Sequence, residues 1–464
     1  MAPPRQRQGE TTRPASAASA AADGAAPSAA AVPWLQQQAM AYAKAGKPEP
    51  ALKACRQILA VQPGRPDVLS FAGMMCAELG RLDEAVSLYR QAIAGKPDFV
   101  GAQYNLAHAL QRLGRLEAAA AEYARAVALK PDLVAAHHNL GGVLLSLGRL
   151  EEAAQSYERA LALRPTPETE RDLGLVLQRL GRHDAAIAAF RRALALRPNW
   201  PAALDLLVHA FFERREFKTV LALCDAWLRS EPRSVHAMAL KALALNEAGD
   251  AAAARGLLDL DRFVQVVDFE AAPGHDSVAT LNAALVRHVE AHPTLAVPPK
   301  DDPTYHHEAL QITGELLAEP KGPMAALEAM MREAIARYLA TVPREPAHPF
   351  LAHFPARWTL RAWATRLAGQ GNLVPHVHLD GYLGGVYYPL LPEIVRAGGP
   401  GEAGWFELGR PPEMLRCAAA PITRRVQPHE GRMLLFPGYF FHNTVPFRST
   451  ERRISIAFDL VPLA

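Results

Sequence analysis

Residues 113–131 read LGRLEAAAAEYARAVALKP, and variants of this pattern recur along the first half of the chain. The recurrence is marked by prolines that follow one another after 34, 34, 34, 33 and 34 residues, at positions 63, 97, 131, 165, 198 and 232. A glycine stands 17 residues before each of the first five prolines, and Arg215 takes that place before the sixth. These glycines are Gly46, Gly80, Gly114, Gly148 and Gly181. A constant period of this length predicts an array of helix–turn–helix units.

Each part of the pattern has a mechanical reason. The glycine ends the first helix because it adopts a positive φ without strain, and the proline ends the second helix because it has no N–H to donate. Small side chains let the helices approach closely, and one aromatic ring per repeat fills the space between them. The small residues are Ala85, Ala119, Ala153 and Ala186, then Ala92, Ala126, Ala160 and Ala193, and the aromatics are Tyr89, Tyr123, Tyr157 and Phe190. We count six repeats between Pro33 and Pro232, followed by a degenerate seventh over residues 235–260.

These motifs resemble the tetratricopeptide-repeat family over nearly half of the chain. The resemblance implies an all-α right-handed superhelix whose concave groove holds a peptide, with no catalytic group of its own. Asn105 and Asn139 occupy equivalent positions in the first helices of their repeats, and Asp172 is next in line. We expect Asn105 and Asn139 to bind a peptide backbone; the alternative is that they lie on a solvated face.

The bulk composition excludes several classes of protein. At 464 residues the chain is expected to form two or more domains. Its 50 Lys and Arg nearly balance its 47 Asp and Glu, which argues against binding to nucleic acid or to a membrane surface. There is no run of 18 apolar residues, and the four cysteines form no CxxC pair, so a reducing, cytoplasmic location is expected. Residues 1–32, rich in Ala, Pro, Ser and Thr, are predicted to be a disordered tail.

The 34-residue period is lost after residue 260, and residues 261–464 are predicted to form a second domain. A helical lead-in extends to about residue 341, and the sequence takes on β character from about residue 356. Short apolar segments separated by Gly and Pro clusters predict a sandwich or jelly roll. They lie at residues 358–367, 385–388, 404–408, 422–426, 432–436 and 454–460.

Residues 375–380 of this domain read PHVHLD, and His442 follows Asp380 by 62 residues. Two imidazoles and one carboxylate are the ligand set of a mononuclear non-haem Fe(II) site. Alternate residues of an extended strand point the same way, yet His376, His378 and Asp380 cannot all join His442 on one face of an open site. We assign His378, Asp380 and His442 as ligands. The alternative, in which His376 and His378 are both ligands, stays open.

A second cluster of candidates follows His442 by about ten residues. A site that uses an α-keto acid needs a cation for the distal carboxylate, and Arg offers a two-pronged fork for it. Arg453 and Ser455 share one face of a predicted strand, while Arg452 lies on the other face with apolar residues. We therefore expect Arg453 to bind the carboxylate, with the Ser455 hydroxyl assisting.

Residues 300–464 resemble the Fe(II)- and 2-oxoglutarate-dependent oxygenases. The motifs H-x-H, G-V-Y-Y, G-x-L-x-L-F-P, H-x-V-x-P and R-I-S-x-x-F occur in the family's order, although Met433 replaces a Leu and the spacing from His442 to Pro446 is longer. The resemblance implies a double-stranded β-helix (jelly-roll) core that binds Fe(II) through His378, Asp380 and His442. It also implies that Arg453, with Tyr387, holds 2-oxoglutarate.

The whole chain is therefore predicted to be a dioxygenase that uses O2, Fe(II) and 2-oxoglutarate to hydroxylate a peptide or protein side chain recruited by the repeats. Three alternatives stay open from the sequence. The barrel could be inactive, leaving a non-catalytic adaptor. The enzyme could act on a small molecule, with the repeats serving assembly. The barrel could also be a cupin-like isomerase, which would bind metal but consume no 2-oxoglutarate.

Overall fold

A computed structural model describes residues 28–297, 305–306, 309–312, 316–318, 320–342 and 345–463. The chain divides into two compact units, residues 1–198 and 199–464. Most of the predicted tail, residues 1–27, lies outside the described residues, and a short 3-10 turn, Ala29–Ala31, precedes the first helix. The predicted domain limits at 32/33 and 260/261 stay predictions.

The first unit is built from helices that follow one another in pairs, two to each repeat. They are α1 (Val32–Lys44), α2 (Pro48–Val61), α3 (Pro66–Glu78), α4 (Leu82–Gly95), α5 (Val100–Arg112), α6 (Leu116–Leu129), α7 (Val134–Ser146), α8 (Leu150–Leu163), α9 (Pro167–Arg179) and α10 (His183–Leu196). The first helix of each of these repeats has 13 residues and the second has 14. The predicted tetratricopeptide-type helix pairs are confirmed.

The turn inside each pair depends on the predicted glycine. Gly114 follows the end of α5 with φ +72°, and its N–H donates to Gln111 O at 2.9 Å. The N–H of Arg115 donates to Leu110 O at 2.9 Å, which completes the pair of bonds that caps a helix through a left-handed residue. Arg215, which replaces the glycine before Pro232, also has a positive φ of 58°.

The core of the first unit pairs small residues with aromatic rings. Every alanine that the sequence analysis assigned to a close approach has 0% exposure, and the four aromatics are buried. Two helical glycines extend the same rule. A Cβ at Gly141 would lie 2.8 Å from the Tyr157 ring, and one at Gly174 would lie 2.4 Å from Phe190. The rings therefore fill space that a methyl group would otherwise occupy.

Two neighbouring glycines of α7 test this packing. Gly141→Ala is expected to destabilise the protein by ~1–3 kcal/mol, because the new methyl group must displace the Tyr157 ring. Gly142→Ala is the matched control, since its Cβ would come no closer than 3.5 Å to the Tyr157 hydroxyl. Gly142→Ala should stabilise the folded protein by about 0.5–1 kcal/mol, because alanine has a higher helix propensity than glycine. Thermal unfolding followed by circular dichroism measures both, and equal shifts in the two variants would contradict the packing argument.

The second unit begins with two further helix pairs, α11 (Pro201–Glu213) with α12 (Phe217–Ser230), and α13 (Val235–Glu247) with the short α14 (Ala251–Leu257). The predicted degenerate seventh repeat corresponds to this last pair. The other helices are α15 (Leu260–Phe263), α16 (Val278–Glu290), α17 (Met324–Thr341), α18 (Pro349–Ala352) and α19 (Glu393–Arg396). None of the helices within the described residues is long and apolar enough to cross a membrane.

The strands of the second unit form two antiparallel sheets. They are β1 (Gln265–Asp268), β2 (Leu295–Ala296), β3 (Tyr305–His306), β4 (Ala309–Ile312), β5 (Trp358–Leu373), β6 (Leu383–Leu390), β7 (Phe406–Leu408), β8 (Arg424–Val426), β9 (Arg432–Pro437), β10 (His442–Thr444) and β11 (Phe447–Pro462). The larger sheet has the order β1-β9-β6-β11-β5-β4-β2, with β3 also on β5, and the smaller has the order β10-β7-β8. The fold-class prediction, helical repeats followed by an α+β domain with jelly-roll sheets, is confirmed.

Candidate metal centre

Three histidines converge where the two sheets meet. His376 and His378 lie in the segment after β5, and His442 begins β10. The backbones of His376 and His442 exchange two hydrogen bonds, of 3.1 and 3.0 Å, which bring the distant residue beside the motif. One donor atom from each imidazole lies within 4.8 Å of the other two. The cluster therefore has the size of a metal-binding site.

The hydrogen bonds of the three imidazoles assign their tautomers. Nδ1 of His376 lies 2.7 Å from Val374 O, Nδ1 of His378 lies 2.9 Å from Asp459 Oδ1, and Nδ1 of His442 lies 3.0 Å from Phe440 O. Because each Nδ1–H donates to an oxygen, each Nε2 carries a lone pair.

Two of these Nε2 atoms, on His376 and His378, are 3.3 Å apart. Two lone pairs repel, whereas nitrogens bound to one ion at bonds of about 2.1 Å lie roughly 3.0–3.4 Å apart. The 3.3 Å separation of the His376 and His378 Nε2 atoms is therefore the separation expected for two nitrogens bound to one cation.

The surroundings of His442 keep its imidazole neutral. Phe406 stacks on the ring at 5.5 Å between centroids, and Phe436 lies at 4.8 Å. Burial, and then the neighbouring His376 and His378, hold the pKa of His442 well below its ordinary value. A neutral imidazole is the form that ligates a metal.

Asp459 is a candidate site residue that the sequence analysis missed. It lies on β11, is buried, and accepts the hydrogen bond from His378. Gly381 makes room for it, since a Cβ there would lie 2.4 Å from the Asp459 carboxylate. The available signal was an acid inside the apolar strand ISIAFDL of residues 454–460. Carboxylates that orient a ligating imidazole strengthen metal sites.

Asp380, the expected carboxylate ligand, lies outside the histidine cluster. Its side chain is 70% exposed and pairs with Arg361 at 3.2 Å. The expectation assumed an extended strand through residue 380, but the chain turns after His378, and Gly381 N donates to His378 O at 3.2 Å. The turn carries the Asp380 carboxylate away from the face that holds the imidazoles. The structure brings together His376, His378 and His442, the alternative that the sequence analysis left open with His376 as a ligand.

Arg453 is a buried cation without an acidic partner among the described residues. Its side chain is 2% exposed, and one terminal nitrogen donates to Gly404 O at 2.9 Å. Its Nε makes no hydrogen bond within the described residues. Burial lowers the pKa of Arg453, because a buried charge loses its hydration. A guanidinium in this state has donors available for an anionic ligand.

Tyr387 and Ser455 were expected to assist Arg453. Ser455 is buried on the same strand as Arg453, two residues further along. The Tyr387 hydroxyl instead donates to Asn282 of α16 at 2.6 Å, because alternation along β6 turns its side chain to the other face. Tyr388 takes the position near Arg453, whose guanidinium lies 5.3 Å from the ring centroid. The structure therefore does not place Tyr387 beside Arg453.

Family models match segments in both halves of the chain. Residues 361–459 match the model described as "Putative 2OG-Fe(II) oxygenase". Tetratricopeptide-repeat models match residues 73–114, 99–166, 132–199 and 171–229. The chain therefore combines tetratricopeptide repeats with a domain that matches the 2OG-Fe(II) oxygenase model, called the oxygenase domain below.

Solved structures similar to the repeat part are also known. A crystal structure of MamA protein has 22% sequence identity and a TM-score of 0.34, covering 35% of this chain and 90% of that one. MamA 41-end from Desulfovibrio magneticus RS-1 has 21% identity and a TM-score of 0.35, covering 37% of this chain and 97% of that one. No curated protein gives a significant match to the chain.

A cavity of about 930 Å³ opens beside the histidine cluster of the oxygenase domain. Its wall includes His376, and prolines make up much of the rest: Pro375, Pro411, Pro412, Pro421 and Pro446. The polar part of the wall includes Glu407, Arg410, Glu413, Arg416, Arg425 and Asn443. The cavity therefore offers an apolar surface with a charged edge next to one candidate ligand.

Glu407 organises that charged edge. Its carboxylate is buried and accepts hydrogen bonds from Arg410 at 2.5 and 2.9 Å, Arg425 at 2.9 Å and Asn443 at 3.2 Å. Burial by itself would raise its pKa, but the three donors outweigh burial and lower the pKa of Glu407 to about 2. The carboxylate is therefore ionised in the folded protein at neutral pH.

The two asparagines of the repeats differ in their surroundings. The Asn139 amide donates to the hydroxyls of Tyr104 at 2.8 Å and Tyr123 at 3.3 Å. Asn105 is half-buried, and no hydrogen bond of its side chain is found within the described residues. The Asn139 amide is therefore already engaged inside the array, whereas the Asn105 side chain is not hydrogen-bonded to any of the described residues.

Glu407 generates a pH prediction. Its folded-state pKa lies below the ordinary value of 4.5, so its stabilising effect is complete above pH 4.5 and is lost as the pH falls toward about 2. Glu407→Gln should destabilise the oxygenase domain by about 3 kcal/mol at pH 7, because two arginines lose a buried partner. The difference in unfolding midpoint between wild type and variant should shrink as the pH falls below 4.5.

The matched control is Glu402→Gln, because Glu402 also pairs with Arg425 but is exposed. An exposed pair contributes only ~0–1 kcal/mol. Scanning calorimetry at several pH values gives both differences. A Glu407 effect that is small at pH 7, or that does not change with pH, would refute the assignment.

Proposed function

We propose that this protein is an Fe(II)- and 2-oxoglutarate-dependent dioxygenase that hydroxylates a peptide or protein side chain recruited by its repeats. The observation that carries the proposal is the convergence of three imidazoles, each with its Nδ1 hydrogen-bonded to an oxygen, in a domain that also holds a buried arginine without an acidic partner among the described residues. His376, His378 and His442 are the proposed Fe(II) ligands, and Arg453 is the proposed partner of the 2-oxoglutarate carboxylate.

The protein's own part in this chemistry follows from the site. Bound Fe(II) with 2-oxoglutarate and O2 supplies the power to hydroxylate an unactivated C–H bond. His376, His378 and His442 would hold the ion with three ligands and would leave coordination positions open for the cosubstrates. Asp459 holds His378 in the ligating tautomer, and the Phe406 and Phe436 rings keep water from His442.

Arg453 suits a dicarboxylate because its charge is buried and unneutralised. Burying a cation without a partner is costly, and the carboxylate of a bound ligand would offset that cost. The Tyr388 ring lies 5.3 Å from the guanidinium of Arg453. We assign Tyr388, in place of Tyr387, as the aromatic neighbour of the carboxylate, with Ser455 on the same strand as Arg453.

The proposed substrate class rests on the repeats and on the cavity beside His376. Tetratricopeptide repeats bind peptides and proteins in related arrays. The cavity wall, rich in prolines, is large enough for an amino-acid side chain with its flanking peptide. A protein side chain is therefore the substrate that uses both parts of the chain.

An anaerobic titration with Fe(II) and then 2-oxoglutarate tests the site. Wild-type protein is expected to develop the visible charge-transfer band of an iron–keto-acid complex. His442→Ala should abolish it, and Arg453→Ala should weaken 2-oxoglutarate binding at least tenfold. Asp459→Asn should lower iron affinity by roughly 10–100-fold through loss of the orienting carboxylate.

Asp380→Ala is the matched control for the ligand set, because Asp380 lies in the same segment but outside the cluster. The band should survive this change and disappear in His376→Ala. The reverse result would establish Asp380 as the ligand in place of His376. The absence of any band in folded, iron-loaded wild-type protein would remove the oxygenase proposal and favour the adaptor.

The recruitment part is tested by incubating the iron-loaded protein with a tryptic peptide mixture from a whole proteome and finding hydroxylated peptides by mass spectrometry. Asn105→Ala is expected to reduce the yield severalfold at limiting peptide while leaving the iron and 2-oxoglutarate titration unchanged. Gln91→Ala, an exposed change on a second helix, is the control. An undiminished yield in Asn105→Ala, or turnover of metabolites alone, would count against recruitment by the groove.

A further inference from the structure

A second group of metal-type side chains lies away from the oxygenase site, in the last repeats. Asp205 and His209 are four residues apart on α11, so they share one helix face. His236, near the start of α13, meets them from the next repeat. Nε2 of His236 lies 2.7 Å from Asp205 Oδ1, and Nε2 of His209 lies 3.2 Å from the same oxygen. The three donor atoms all lie within 4.8 Å of one another.

The three donor atoms lie close enough together to share one ion. Asp205 Oδ1 is buried, yet neither imidazole meets hydrogen-bond geometry with it within the described residues. Donors bound to one tetrahedral ion at about 2.1 Å lie roughly 3.4 Å apart. The contact to His209 is already near this value, and the contact to His236 needs to open by less than an ångström. A small side-chain movement would therefore admit an ion.

The site is open to an entering ion and has a supporting ring. The side chains of Asp205, His209 and His236 are 30%, 25% and 22% exposed. Trp227 stacks on the His236 ring, with centroids 5.8 Å apart and planes at 28°, which restrains the orientation of that imidazole. The donors are therefore accessible and, on the His236 side, held in place.

A cavity of about 980 Å³ leads to this group. Asp205 and His236 form part of its wall, and Leu379 and Asp380 form another part. Leu379 and Asp380 belong to the turn that directly follows His378. An ion held by three protein donors keeps a fourth position for water or for a donor from a guest molecule.

We propose that Asp205, His209 and His236 form a second metal site that binds a divalent late first-row ion, with Zn²⁺ as the preferred ion. Two imidazoles and one carboxylate are a common zinc donor set. The site is separate from the His376–His378–His442 cluster and requires none of its residues. Its alternative is a metal-free arrangement in which Asp205 pairs with two histidines by charge alone.

The test uses the full chain with the first cluster silenced by His378→Ala and His442→Ala, so that only the proposed site remains. Chelator-stripped protein is titrated with Zn²⁺ by calorimetry and with Co²⁺ by visible absorption. One ion per chain is expected, with a Co²⁺ spectrum of tetrahedral intensity. Adding His236→Ala should weaken binding at least tenfold, and Asp205→Asn or His209→Gln should do the same if His236→Ala compromises folding.

The matched control is His138→Ala, since His138 lies 3.8 Å from Asp172 in an earlier repeat but belongs to no group of three metal-type donors among the described residues. It should leave the Zn²⁺ stoichiometry unchanged. No Zn²⁺ binding by the silenced chain, or binding that survives both His236→Ala and Asp205→Asn, would overturn the proposal. Because His236→Ala alone should leave the iron–keto-acid band intact, failure here is distinguishable from failure of the oxygenase site.

Discussion

The alternation of side chains along β11 is the constraint on which the oxygenase domain depends. This strand pairs with β5 on one side and β6 on the other, so its register positions both neighbours. Arg453, Ser455 and Asp459 fall on one face because they are separated by even numbers of residues. Arg453 is the proposed partner of the anionic cosubstrate, and Asp459 accepts a hydrogen bond from His378. A shift of one residue would exchange this face for the apolar one that carries Ile454 and Phe458.

Glu407 and Arg453 are two buried charged side chains of the oxygenase domain, and they differ in how far the protein compensates for their lost hydration. Glu407 receives two arginines and an amide, so its charge is neutralised within the protein and its network contributes stability. Arg453 receives one backbone carbonyl and two aromatic rings, which is poor compensation for a full positive charge. The difference distinguishes a structural network around Glu407 from the poorly compensated charge of Arg453, which we propose binds a carboxylate ligand.

In the repeats, the fit between small and large side chains sets how closely the helices pack, just as register sets which residues of neighbouring strands meet. Alanines with no exposed surface, and glycines such as Gly141, allow neighbouring helices to approach until an aromatic ring fills the remaining space. The same architecture presents polar residues on first helices. Asn105 and the Asp205–His209 pair are examples, and they give the array two different kinds of candidate binding chemistry.

The sequence by itself determined the repeats, their turns and the jelly-roll class, because these follow from local rules: a 34-residue period, a positive φ at glycine, and short apolar strands. It also identified His376, His378, His442 and Arg453 as candidates. Only the tertiary structure decided which side chains meet. The turn after His378 removes Asp380 from the cluster, and β11 brings Asp459 to His378 across 81 residues of chain. The turn is local, but the sequence does not show that it points the Asp380 carboxylate away from the imidazoles. An acid inside an apolar strand marks Asp459 as unusual, but its contact with His378 depends on how distant strands pair.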